Sequence, residues 1–82
     1  MHEGQLRAIT DYRLRLWERV NDETLDGCFA ELVIGNFLIV LDAGDNDQIE
    51  TANPTRPTKV LSHHGIGYIW QTNCKTNTRA VA

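Results

Sequence analysis

Two apolar runs separated by a Gly-Asn pair constrain this chain more than any other feature. The first is Gly27-Cys28-Phe29-Ala30-Glu31-Leu32-Val33-Ile34. The second is Phe37-Leu38-Ile39-Val40-Leu41-Asp42, with Gly35-Asn36 between them. Gly and Asn tolerate the positive φ angles of tight primed turns, so the spacing predicts a β-hairpin. The second run is apolar on both faces, which predicts a strand covered on both sides, by a barrel interior and by a helix or another chain. A rival reading of the first run stays open. Leu25, Cys28, Phe29, Leu32 and Val33 also fit helical spacing, although Gly27 inside such a helix costs about 1 kcal/mol relative to alanine.

The N-terminal part carries the same ambiguity. Leu6, Ile9, Tyr12, Leu16, Trp17 and Val20 can share a helical face, but Arg13 falls inside it. As a strand, Tyr12, Leu14 and Leu16 point one way while Arg13, Arg15 and Arg19 point the other. The reading adopted is a short helix near residues 3–9 and a strand from Asp11 to Val20, with Asn21-Asp22-Glu23 as a turn. Beyond Asp42, residues 43–47 are rich in turn formers and Gln48–Thr51 fit a short strand. Pro54 and Pro57 break any ladder. Lys59–Ser62 and Tyr68–Gln71 predict two more strands around His63-His64-Gly65-Ile66-Gly67, and residues 72–82 a frayed polar tail.

At 82 residues the chain holds one domain near the small end of what folds alone. The expected architecture is mainly β with a short N-terminal helix: a five-stranded small barrel over residues 1–71, with α+β as the alternative. Closure removes unpaired strand edges. Leu14, Leu16, Phe29, Leu32, Phe37, Ile39 and Leu41 are expected to fill its centre. No apolar run approaches the roughly 18 residues of a membrane span. The N-terminus lacks the pattern of a signal peptide, so the expected compartment is the cytoplasm, with Cys28 and Cys74 as free thiols.

Charge is segregated. Residues 21–50 hold Asp22, Glu23, Asp26, Glu31, Asp42, Asp45, Asp47 and Glu50 with no Lys or Arg, a charge of −8 in a chain of net −3. Such a surface repels phosphate and attracts cationic protein. A solvated face that keeps the chain soluble accounts for it equally well. Enzymatic chemistry has little to stand on. Ser62 and His63 are strand neighbours that point to opposite faces, which defeats a nucleophile–base pair. No CxxC or HxxxH spacing supports a structural metal, and no cofactor is implied. Arg13, Arg15 and Trp17 on one strand face make the best local case for RNA, because cations offset phosphate and aromatics stack bases.

The order of features resembles a known family. Tyr12-Arg13-Leu14-Arg15-Leu16, a polar turn and the glycine-centred Thr24–Leu32 segment look like the first two strands of an Sm-like barrel. Gly27, Phe29, Leu32, Leu38 and Val40 fall at its signature positions. Among Sm-like proteins the chain resembles the Rof (YaeO) family of Rho terminator inhibitors, through the same strands, the Phe37–Leu41 run, Leu61-Ser62-His63 and Ile66-Gly67. Departures are Val33 and Phe37 where RNA-binding Sm-like proteins carry an acidic residue and an asparagine, and the proline-containing stretch at 51–58.

The resemblance implies a non-enzymatic module that covers the RNA-binding surface of Rho, a basic partner, with an acidic face. On this reading the protein-binding residues are Asp22, Glu23, Asp26, Asp45, Asp47 and Glu50. The alternative is an oligomeric Sm-like RNA-binding protein acting through Arg13, Arg15 and Trp17. A small metal-dependent or hydrolytic enzyme around His63 and His64 ranks third. The oligomeric state is open.

Overall fold

In the computed structural model, which describes residues 1–21, 24–44 and 57–81, the described residues form seven strands and one short helix. The strands are β1 (Leu6–Ile9), β2 (Leu14–Asn21), β3 (Thr24–Leu32), β4 (Phe37–Asp42), β5 (Pro57–Ser62), β6 (Gly65–Trp70) and β7 (Thr78–Ala80). The helix, α1 (Gln71–Asn77), lies between β6 and β7. They form one antiparallel sheet in the order β3-β2-β6-β5-β4-β1-β7, with no pairing between its edges β3 and β7. The mainly-β expectation holds, but the architecture is a seven-stranded open sheet and not a five-stranded closed barrel. The helix expected at residues 3–9 is β1 instead, and the only helix among the described residues is C-terminal.

The expected turn is present and the expected hairpin is not. Asn36 N donates to Val33 O and Val33 N donates to Asn36 Oδ1, both at 2.9 Å, and Gly35 takes φ 98°, a conformation that favours glycine. Yet β3 pairs with β2, and β4 pairs with β1 and β5. Ile9 N donates to Asn36 O at 3.0 Å, so β1 occupies the flank of β4 that β3 was expected to take. Four residues, Val33–Asn36, join strands that stand four places apart in the sheet order. A link this short spans that distance because the sheet curls back on itself.

Curling gathers one face into the core: Ile9, Leu14, Leu16, Leu32, Leu38, Val40, Val60 and Ile69, closed off by Ala43 and by Cys74 of α1. Leu14, Leu16 and Leu32 are buried as expected. On β4 the expected register is off by one residue. Leu38 and Val40 point inward, while Phe37 and Ile39 are exposed and Leu41 is half-buried. Because the run is apolar on both faces, its period-two pattern carries no preference for a side. Phe29, also expected inside, is exposed. It is the extra residue of a β-bulge where Leu16 pairs with Ala30 and Trp17 with Cys28.

Segment 72–82, expected as a frayed tail, carries α1 and β7. Thr78 anchors it. Arg7 Nε donates to Thr78 Oγ1 at 2.6 Å, and Thr78 Oγ1 donates to the Cys74 carbonyl. The start of α1 is fixed by Gln71 Nε2, which donates to Ala43 O at 3.0 Å; Thr58 Oγ1 donates to the same carbonyl at 3.0 Å.

Candidate functional site

The buried alternation of β2 sets the geometry of a polar groove that gathers cations and aromatics. Leu14 and Leu16 point into the core, which turns Arg15 outward. The bulge after Leu16 then swings Trp17 into register with Tyr68 of β6. Before β2 the chain bends at Tyr12, which has φ 47°. A bulky residue in the left-handed region costs of order 1 kcal/mol. Tyr12 is thus outside the strand, 76% exposed, and not aligned with Leu14 as the alternation predicts.

The result is a groove of about 480 Å³ between the start of β2, the end of β6 and α1. Its aromatic walls are Tyr12, Trp17 and Trp70, its cations Arg13 and Arg15, and its amides Asn73 and Asn77. Leu14 and Ile69 supply its apolar floor. The structure therefore brings together Arg13, Arg15 and Trp17, the three residues of the alternative RNA-binding reading. It also adds Trp70, Asn73 and Asn77, which sequence reasoning missed. Asn73 and Asn77 lie one helical turn apart on α1, and a segment read as a frayed tail offered no reason to look for such a pair. Trp70 was legible as an aromatic at a strand end, but its neighbours in the groove come from β2.

Electrostatically the two arginines differ. Arg13 Nη1 stands 3.6 Å from Glu31 Oε2 with both side chains well exposed, so water weakens the pair. Arg15 lies across the ladder from Glu31 and makes no ion pair among the described residues. Arg19, expected on the same face, is outside the groove. It donates to Asp26 Oδ2 at 3.0 Å and lies 3.5 Å from Glu18 Oε2.

Of the six acidic residues of the leading reading, Asp26 is the described one, and its carboxylate is engaged by Arg19. Asp22, Glu23, Asp45, Asp47 and Glu50 lie outside the described residues. At the β5–β6 turn the rings of His63 and His64 stand 3.9 Å apart. Ser62 Oγ accepts from His64 N at 3.1 Å and donates to Gly65 O at 3.3 Å, so its hydroxyl serves the turn. Among the described residues no cluster of His, Cys, Asp or Glu could hold a metal ion, and no helix is long and apolar enough to cross a membrane. Cys28 is exposed and Cys74 buried, both as free thiols. Burial pushes the Cys74 thiol up from its ordinary value.

Comparison with protein-family models, with curated proteins and with solved structures gives no match.

Proposed function

We propose that this chain is a non-enzymatic binding protein that takes two or three nucleotides of single-stranded nucleic acid in the groove of Tyr12, Arg15, Trp17 and Trp70. The observation that carries this reading is the convergence of three aromatic side chains, two arginines and two side-chain amides on one groove. Aromatic faces stack bases of any sequence, guanidinium groups meet phosphate, and amides bond base edges. The small number of cations makes the affinity modest and dependent on salt.

The test is a titration of the protein with short single-stranded oligonucleotides, followed by tryptophan fluorescence at low and moderate salt. The expected outcome is quenching that saturates and weakens as salt rises. Absence of quenching at low salt overturns the reading.

A second reading is supported by the −8 charge of residues 21–50: cover of a basic RNA-binding surface, as the Rof resemblance implies for Rho. It predicts that the chain releases RNA from Rho without itself binding RNA. The same titration separates the two, because an acidic cover leaves tryptophan fluorescence unchanged on addition of RNA alone.

A further inference from the structure

The outward face of the sheet carries a feature the groove does not use. Leu6 of β1 is in register with Ile39 of β4, Ile39 with Leu61 of β5, and Leu61 with Ile66 of β6. Four branched apolar side chains thus form a continuous row across four adjacent strands. Neighbouring strands lie about 4.8 Å apart, so the row is about 14 Å long. Each of its members is between 36% and 54% exposed, and Phe37, beside Ile39 on β4, is 52% exposed. Leu6, Phe37, Ile39 and Leu61 line a shallow groove of about 400 Å³. No Asp, Glu, Lys or Arg belongs to the row or lines that groove.

We infer that this row is the contact face of a homodimer, covered by the same row of a second copy of the chain. Area argues for an interface. With Phe37, the exposed parts of these residues amount to about 400 Å² of mainly apolar surface. A stable interface covers about 800 Å² per partner, of which about 450–520 Å² is apolar, so the row and Phe37 supply most of the apolar share of one partner. Charge argues for a like copy. The row has no ionic group with which to select a charged partner, and two copies meeting through it place no charge against its like. The contact is isologous and closes at two copies.

The groove residues Tyr12, Arg15, Trp17 and Trp70 do not belong to the row, so failure of one proposal leaves the other standing. The deciding experiment is sedimentation equilibrium of the purified full chain from about 1 μM to about 100 μM, read as mass against concentration. The expected result is a species of twice the chain mass at the upper end. Leu61→Asp and Ile39→Asp, which desolvate a charge at the contact, are expected to weaken dimerisation at least about 100-fold, while Arg15→Ala leaves the mass unchanged. If either aspartate variant loses its β-sheet circular dichroism, Ile66→Lys, at the most exposed position of the row, takes its place. A monomer throughout the range, a mass above two copies, or a dimer that persists in a folded row variant overturns the proposal.

Discussion

The ring of Phe29 lies against Gly67. A Cβ built on Gly67 would stand 3.0 Å from Phe29 Cζ and 3.2 Å from Leu16 Cδ2. Phe29 belongs to β3 and Gly67 to β6, with β2 between them, so the bulged residue reaches over a whole strand to cover bare backbone. Gly67→Ala pushes the ring outward and presses on a fully buried leucine. The expected cost is about 1–2 kcal/mol in urea unfolding. Phe29→Ala is expected to relieve part of it, so the double variant loses less than the sum of the singles. Strict additivity of the two would show that the ring and the glycine are independent.

Thr78→Val tests the anchor of the C-terminal segment. The substitution keeps the shape of a buried side chain but removes both the acceptor for Arg7 Nε and the donor to the Cys74 carbonyl. A loss of about 1–3 kcal/mol is expected, since the guanidinium side chain is half-buried and left short of a partner. Amide exchange should rise first in α1 and β7. Unchanged exchange there means that packing and the backbone hydrogen bonds to β1 hold the segment without the Thr78 hydroxyl.

Cys74 gives a pH signature. Burial raises its thiol from an ordinary value of 9.0, against smaller opposing contributions from Thr78, Arg7 and Lys75. A raised folded pKa means that the unfolded chain releases this proton at lower pH than the folded one. The thiol's contribution is therefore full below about pH 9 and declines as pH rises through and beyond that value. Cys74→Ala removes this part of the alkaline slope, which thermal unfolding between pH 8 and about 10.5 measures. In the native protein a thiol reagent should react at once with the exposed Cys28 and with Cys74 only on unfolding.

The groove makes the sharpest contrast among arginines. Arg15→Ala is expected to weaken oligonucleotide binding about 5- to 10-fold and to reduce the salt slope by about 0.7. Arg19→Ala, whose side chain is held by Asp26 outside the groove, should change neither. Trp70→Ala is expected to cost about 1–3 kcal/mol, the worth of one stacked base. Equal effects of Arg15→Ala and Arg19→Ala, measured by fluorescence titration, would point to diffuse charge and away from a groove.

Period-two alternation and branched apolar runs favoured strands where β2 to β6 form, with a helix left open for residues 6–20 and 25–33, and the turn at Gly35-Asn36 followed from its residue types. The alternation of Arg13, Arg15 and Trp17, just before and along β2, was legible too, which is why the alternative site reappears in the groove. The place of Trp70, Asn73 and Asn77 in the groove was not, because it depends on β2 lying beside β6 and on α1 forming where a tail was expected.

Local sequence favoured extension in the central strands and determined the turn at Gly35-Asn36, since alternation and turn chemistry act over two to four residues, but it missed β1, α1 and β7. Tertiary structure decided which strands became neighbours, which side of the Phe37–Leu41 run was buried, and that α1 and β7 formed where a frayed tail was expected. Each of these depends on contacts between residues far apart in the chain: Ile9 with Asn36, Arg7 with Thr78, Gln71 with Ala43. A strand apolar on both faces accepts either side and either partner, and the choice falls to whichever assembly of the whole sheet buries the most surface with its backbone groups paired.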